Sequence, residues 1–166
     1  AGAFYPDLLA RFVAAVSEEE RGDLISAYHR RLFSGNLLEE TKAARVWAAW
    51  ENALASVQSA GMFGESPADY ARAFARLENH YFVNAGFLES DGWIMANRGR
   101  IEHIPAVIVQ GRYDMICPPV SASKLASGWA KADLRIIPMA GHALSEPGIS
   151  EALVAAMDTL RGVHGG

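Results

Sequence analysis

Hydrophobic side chains recur with a helical period through the first half of the chain. Leu8, Leu9, Phe12, Val13 and Val16 form a stripe with 3.6-residue spacing after Pro6, which suits a first helical turn. The same period predicts three further helices, over Ser17–Leu32, from Leu38 into residues 56–61, and from the Ser66-Pro67 cap to Val83. We therefore predict that residues 1–92 form an all-helical lobe.

The pattern changes in the second half of the chain. Val107, Ile108 and Val109 are an unbroken β-branched run, which predicts a strand buried on both faces of a parallel sheet. A second strand is predicted over Leu134–Pro138, with a helix at about Val120–Lys131 between the two and an amphipathic helix after Gly148. Residues 93–166 are thus predicted to be an α/β unit. Two strands form an incomplete sheet with an open inner edge, so we interpret this unit as part of a larger domain.

An acid and a histidine follow these two strands. Asp114 comes three residues after Gly111 at the end of the first strand, and His142 follows the second. Carboxyl ends of parallel strands meet at one edge of a sheet, where such folds collect their functional groups. Asp and then His is also the order in which the last two members of a Ser…Asp…His triad occur in α/β-hydrolases. The alternative is that Asp114 caps a turn and His142 ends a strand. Cys117 is expected to be a buried, inert thiol, or else to line the rim of this site.

No serine of this chain has the sequence context of a triad nucleophile. Gly64-Glu-Ser-Pro-Ala68 resembles the Gly-x-Ser-x-Gly elbow, but no strand precedes it and Pro67 marks the start of a helix. Ser121, Ser123 and Ser145 lack an elbow as well, and there is no glycine-rich oxyanion loop. We therefore expect the nucleophile to lie outside this sequence.

Two acids of the helical lobe lie on apolar helix faces. Glu78 has Phe74, Tyr81 and Phe82 within one turn, and Glu51 has Trp47 and Leu54. A carboxylate in such a place needs a partner, because burial of an unpaired charge is costly. One interpretation is an internal ion pair with one of three arginines, Arg45, Arg72 or Arg76. The other is that both acids bind the ammonium group of a substrate.

Composition and charge exclude several classes of function. The 166 residues carry a net charge of -4 and no basic run longer than Arg30-Arg31, which argues against nucleic-acid binding. One cysteine excludes a disulfide framework, and the five histidines show no metal-ligand spacing, so neither a metal nor another cofactor is expected. The apolar runs are too short to span a bilayer, and no signal peptide is visible. The sequence begins at Ala1 without Met, so the existence of a processed or upstream segment is left as an open alternative. The default expectation is a soluble cytoplasmic protein.

Four segments together closely resemble bacterial proline iminopeptidases, over nearly the whole chain. They are Trp47-x-x-Trp-Glu51, Ala73-Phe-Ala-Arg-Leu-Glu-Asn-His-Tyr-Phe82, Ile104-Pro-Ala-Val-Ile-Val-x-Gly-Arg-Tyr-Asp114, and Ala140-Gly-His142 with Ser145-Glu-Pro-Gly148. These enzymes are serine peptidases of the α/β-hydrolase fold that remove N-terminal proline. The resemblance implies that residues 1–92 are the helical cap and residues 93–166 the C-terminal part of the core.

The resemblance also implies roles for individual residues. Asp114 and His142 match the family's triad acid and base, and Glu51 and Glu78 match the cap glutamates that bind the free amino group of the substrate. The half of the family that carries the oxyanion loop and the nucleophile elbow has no counterpart here. A peptide with N-terminal proline is thus the expected substrate of the complete enzyme, and this chain by itself is expected to be inactive.

Two other functions stay open. The chain could belong to another cap-bearing α/β-hydrolase, such as an esterase or an epoxide hydrolase, which has no need for two acids on aromatic helix faces. It could also be a non-catalytic truncated product that self-associates through its open sheet edge. The expected partner is accordingly either the missing N-terminal half or a second copy of the chain.

Overall fold

The computed structural model describes residues 1–57 and 65–163. These residues form two compact units. The first contains Ala1–Ala53 and the described chain up to Glu89, and the second contains residues 54–57 together with the described chain from Ser90 onward. The identification of the two units with a cap and a hydrolase core stays a prediction at this point.

The first unit is helical, as the hydrophobic period predicted. Its α-helices are α1 (Pro6–Ala14), α2 (Leu24–Leu32), α3 (Leu37–Ala55, whose last two residues belong to the second unit) and α4 (Ala68–Val83). Short 3₁₀ turns occur at Glu18–Glu20 and Ala85–Phe87. Aromatic rings form the centre of the core: Phe12 stacks on Tyr28 with ring centroids 4.4 Å apart, and the Tyr28 hydroxyl donates to the carbonyl oxygen of Phe12 at 2.8 Å. The buried hydroxyl is therefore satisfied inside the core.

The predicted single helix over Ser17–Leu32 is wrong. The structure has the 3₁₀ turn there and then a separate helix, α2, which begins only at Leu24. The cause is capping: the Ser17 hydroxyl donates to the Glu20 carboxylate instead of capping a helix, whereas the Asp23 carboxylate accepts from the Ser26 amide. Asp23 thus satisfies an amide in the first turn of α2 and sets where that helix starts.

Two further helix boundaries differ from the prediction. The helix α4 begins at Ala68, with extended Pro67 as its N-cap, so Pro67 is not its first helical residue and Ser66 is not its cap. The Ser66 hydroxyl instead accepts from the Asn52 side chain at 3.4 Å. The helix α3 ends at Ala55, and the part of its predicted continuation that falls on residues 58–61 lies outside the described residues.

The second unit is built on the predicted β-α-β arrangement. After α5 (Trp93–Ala96) and a 3₁₀ turn at Arg98–Arg100 come β1 (Ala106–Gly111), α6 (Pro119–Ala126), β2 (Ala132–Ile137) and α7 (Pro147–Val163). The strands pair in parallel from Ala106 opposite Ala132 to Gly111 opposite Ile137. Both α6 and α7 pack against the strands. The helix predicted over Val120–Lys131 is too long, because Gly128 adopts a left-handed φ of 82° soon after α6 ends.

Burial of the first strand differs from the prediction. Val107, Ile108 and Val109 are only half-buried, whereas Gln110 and Gly111 at the carboxyl end are buried. The reason is that the described residues form a sheet of two strands, in which β1 has a neighbour on one side only. Among the helices that the structure describes, none combines the length and the apolar character needed to cross a membrane.

Candidate active site

The carboxyl ends of the two parallel strands bring Asp114 and His142 together. The Nδ1 atom of His142 lies 3.0 Å from Oδ2 of Asp114. The two residues are 28 positions apart in the sequence, so it is the parallel pairing of β1 with β2 that makes them neighbours. The predicted acid–base pair is thus a hydrogen-bonded pair in the structure.

Backbone contacts hold the two loops that carry this pair. The Arg112 amide donates to the Ile137 carbonyl oxygen and the Tyr113 amide to that of Ala140, both at 2.9 Å. The loops approach so closely that a Cβ atom on Gly111 would lie 1.9 Å from the carbonyl oxygen of Gly141. Glycine is therefore required at the end of β1 because no side chain fits between the loops.

Asp114 lies in a nest of hydrogen-bond donors. Its side chain is only 6% exposed, and Oδ1 accepts from the backbone amides of Ile116 at 3.0 Å and Cys117 at 2.7 Å. The second oxygen, Oδ2, accepts from His142 and from Nε2 of Gln110 at 3.3 Å. These four donors fix the orientation of the carboxylate and satisfy it away from water.

The hydrogen bond to Asp114 assigns the tautomer of His142. An ionised carboxylate only accepts hydrogen bonds, so Nδ1 of His142 carries the hydrogen and Nε2 of the neutral ring is an acceptor. The His142 side chain is 43% exposed, in contrast to its buried partner. An oriented imidazole with an accepting Nε2 can take a proton from a hydroxyl group, which is the chemistry of a general base.

A cavity of about 450 Å³ adjoins the pair. It is lined by polar groups of Gln110, Asp114 and His142 and by apolar side chains that include Leu144 and Leu153. Cys117 also lines it and is exposed, so the expectation of a buried thiol is wrong and the rim position is correct. The reason is that Cys117 lies in the turn that wraps Asp114, outside the packed strands and helices.

Two buried residues at this site were not singled out from the sequence. Gln110 is 9% exposed and donates through Nε2 to Asp114 and to the carbonyl oxygens of Gly111 and Cys117, both at 3.1 Å. Glu146 is 5% exposed and accepts hydrogen bonds from the amides of Val57 and Gly141. A polar Gln at the end of an otherwise apolar strand is the signal that could have identified Gln110.

The other two predicted site residues lie in the first unit, on α3 and α4. The Trp47 indole donates through Nε1 to Oε2 of Glu78 at 2.8 Å. Trp47 is buried, and it lies one helical turn before Glu51 on α3. Trp47 thus links the helix that carries Glu51 to the carboxylate of Glu78.

Glu51 and Glu78 interact electrostatically. Burial of Glu51, and then the negative charge of Glu78, raise the pKa of Glu51 from its ordinary value near 4.5 to about 7. Two neighbouring carboxylates that are partly buried attract a cation. A positive charge between them would offset the cost of burying a negative charge as well as their mutual repulsion. A substrate ammonium group has the required charge.

The arginines proposed as ion-pair partners contact other acids. Arg45 lies 3.1 Å from Glu65, Arg72 lies 2.5 Å from Asp69, and Arg76 lies 3.6 Å from Glu40. Among the ion pairs of residues 1–57 and 65–163, none includes Glu51. The interpretation that Glu51 is neutralised by one of these arginines is therefore wrong.

Within the same described ranges, no cluster of three or more His, Cys, Asp or Glu side chains could hold a metal ion. The candidate residues thus form two separate pairs, Asp114 with His142 in the second unit and Glu51 with Glu78 in the first. Their assignment to catalysis and to substrate binding stays a prediction.

Comparison with known proteins gives a family match over most of the chain. A family model described as the alpha/beta hydrolase fold matches residues 1–148. The chain is 45% identical to a proline iminopeptidase of Xylella fastidiosa over 162 residues, which cover 96% of this chain and 51% of the relative. It is 44% identical to a proline iminopeptidase of Arabidopsis thaliana, over 99% of this chain and 44% of the relative.

A proline iminopeptidase of Neisseria gonorrhoeae is 43% identical, over 94% of this chain and 49% of that protein. The chain spans about half the length of the curated relatives it matches, and the matched part is their C-terminal half. The fold predicted from the sequence, the C-terminal part of an α/β-hydrolase, is thereby confirmed.

We predict that Gly111→Ala separates the two loops of the acid–base pair. The added Cβ would meet backbone oxygens of Gly141 and Ala140, so we expect the free energy of unfolding to fall by about 3 kcal/mol or more. Hydrogen–deuterium exchange of peptides covering β1 and β2 measures this loss. Gly99→Ala is the matched control, because a Cβ there meets nothing within 4 Å. Equal stability of the two variants would contradict the proposed close approach.

We predict that Glu51 makes the protein less stable as pH rises from about 4.5 to 7. In this window the unfolded chain releases the Glu51 proton while the folded protein, with its raised pKa, retains it. The contribution is fully present below pH 4.5, is lost by about pH 7, and amounts to about 3 kcal/mol. Urea denaturation across this range should therefore show a flatter pH profile for Glu51→Gln than for the unmodified protein.

Two comparisons control for other titrating groups. Glu39→Gln removes an exposed acid from the same helix, and its profile should match that of the unmodified protein. Glu78→Gln removes the charge that contributes to the shift and should give an intermediate profile. Identical profiles for Glu51→Gln and Glu39→Gln would show that Glu51 is not held protonated by its surroundings.

Proposed function

The chain belongs to the α/β-hydrolase fold family, and on that premise we propose that it supplies the acid, the base and the ammonium site of a serine aminopeptidase that releases N-terminal proline. The observation that carries the proposal is the hydrogen bond between Asp114 and His142 at the carboxyl ends of neighbouring parallel strands. The relatives named proline iminopeptidase support this choice of reaction among the many that the fold performs.

The proposed reaction is acyl transfer to a serine that lies outside this sequence. His142 takes the proton from the serine hydroxyl through Nε2 while the serine oxygen attacks the prolyl carbonyl carbon. Asp114 orients the ring and stabilises the imidazolium that forms. The proton then passes from His142 to the amine of the leaving peptide, and water activated by the same histidine releases proline from the acyl-enzyme.

Glu51 and Glu78 supply the specificity for the first residue of a peptide. The imino nitrogen of an N-terminal proline is a protonated secondary amine, whereas an internal proline has no charge there. Two carboxylates that are partly buried and repel each other gain most from a ligand that carries this charge. Cleavage is thereby restricted to substrates with a free N-terminus.

A second candidate function follows from the sheet. In the described residues, β1 and β2 pair only with each other, which leaves one side of each strand without a strand neighbour. A truncated product of such an enzyme could pair this edge with a second copy and have no catalytic role. A dimer in solution without hydrolytic activity would favour this candidate. A preference for neutral esters would instead favour an esterase or epoxide hydrolase.

We predict that Glu78→Gln weakens binding of L-prolinamide to this chain by roughly tenfold or more at pH 7.5, because a charged hydrogen bond is lost. His142→Gln should leave binding almost unchanged, since His142 transfers the proton between the serine and the leaving amine and does not contact the ammonium group. Titration followed by NMR measures both affinities, and N-acetyl-L-prolinamide, which lacks the cation, is the ligand control. Equal losses in the two variants would contradict the ammonium assignment.

The source of the nucleophile is tested by a fluorophosphonate serine probe and intact-mass spectrometry of the protein isolated from its native host. We expect the adduct on a polypeptide that contains this sequence or accompanies it, at a serine outside residues 1–166. A chain of these 166 residues that is isolated alone and stays unlabelled would contradict the peptidase proposal and support the truncated product.

A further inference from the structure

Glu146 is a buried carboxylate that the proposed reaction does not use. Its Oε1 atom accepts from the Val57 amide at 2.8 Å, and its Oε2 atom accepts from the Gly141 amide at 2.7 Å. The first of these amides follows the end of α3, and the second directly precedes His142. Both oxygens of one carboxylate are therefore used to join the chain beside His142 to a segment 84 positions earlier in the sequence.

The backbone of Glu146 fixes the position of its side chain. Its carbonyl oxygen accepts from the amides of Ile149 and Ser150, both at 3.0 Å, which places it at the start of α7. Its amide donates to the Ala143 carbonyl oxygen at 3.1 Å. The residue is thus anchored to a helix on one side, while its side chain reaches back along the loop to Gly141. Glu146 therefore bonds to the loop on both sides of His142, to Gly141 through its side chain and to Ala143 through its amide.

The last residue of α3, Ala55, bonds directly to the backbone of His142. The carbonyl oxygen of Ala55 accepts from the amides of His142 and Ala143, both at 2.8 Å. A Cβ atom on Gly141 would lie 2.9 Å from this oxygen, so the two segments are in close contact. The Ala55 carbonyl thus holds the backbone of His142 and Ala143, while Glu146 joins the amide of Gly141 to that of Val57.

We infer that Glu146 is a positioning residue for His142, which sets the backbone of the histidine loop while Asp114 orients the ring. A carboxylate is required because two amide donors converge on it. Glutamine offers one accepting oxygen and would present an NH₂ group to the other amide, so one donor would lose its partner. Loss of a buried hydrogen bond of this kind releases the loop locally. That His142 is the general base rests on the proposed function, whereas its positioning by Glu146 does not.

The test is the His142 Nδ1–H signal of the 166-residue chain, observed by NMR at low temperature. Glu146→Gln should increase its solvent exchange rate roughly tenfold or more relative to the unmodified chain, because the loop opens more often. Glu151→Gln removes an exposed acid from α7 and should leave the exchange rate unchanged. Glu146→Asp retains the charge and two acceptor oxygens and should recover part of the protection.

A folded Glu146→Gln chain of lower stability with an unchanged Nδ1–H exchange rate would overturn the inference, since Glu146 would then be a structural anchor only. If that variant does not fold, the unmodified chain provides the test. The amides of Val57 and Gly141 and the His142 Nδ1–H should then become exchangeable in one opening event, with the same dependence on urea. Different urea dependences would overturn the inference. None of these exchange measurements requires catalysis. The peptidase proposal is tested by other experiments, so its failure is distinguishable from failure of this inference.

Discussion

The close approach of two loops at the carboxyl ends of β1 and β2 is the constraint on which the second unit depends. Gly111 leaves no room for a side chain, and the amides of Arg112 and Tyr113 donate across the gap to the strand and loop that lead to His142. Since Asp114 follows directly, the same contacts that join the loops set the distance between its carboxylate and the imidazole. Backbone packing thus determines the geometry of the acid–base pair.

His142 is held from two sides by different kinds of group. Its ring is oriented by Asp114, a carboxylate that is satisfied by Gln110 and by two backbone amides. Its backbone is held by the Ala55 carbonyl, with Glu146 securing the preceding residue. A general base needs both constraints, because proton transfer requires the ring in one tautomer and at one distance from the group it deprotonates.

In the first unit, the carboxylates of Glu51 and Glu78 lie beside an apolar core. This core contains stacked aromatic rings, and the buried hydroxyl of Tyr28 is bonded within it. A carboxylate at the margin of this apolar core is costly. Nearby arginines contact other acids, and Glu51 is partly buried beside the charge of Glu78. Bound between the two carboxylates, a cation would offset the free-energy cost of burying Glu51 beside Glu78. The stability of the unit is therefore linked to the proposed substrate.

The sequence by itself determined the types of the main helices and strands and singled out both pairs of candidate site residues. Three local patterns are visible in the sequence alone: the β-branched run before Gly111, the order of Asp114 and His142, and two acids on aromatic helix faces. Only the tertiary structure decided that two helices start at Leu24 and Ala68, that Cys117 is exposed, and that Gln110 and Glu146 bond to Asp114 and to the amide of Gly141. The physical reason is that capping, exposure and long-range hydrogen bonds depend on which distant groups compete for each donor and acceptor. Glu146 bonds to Val57, 89 residues away, and no spacing in the sequence encodes that contact.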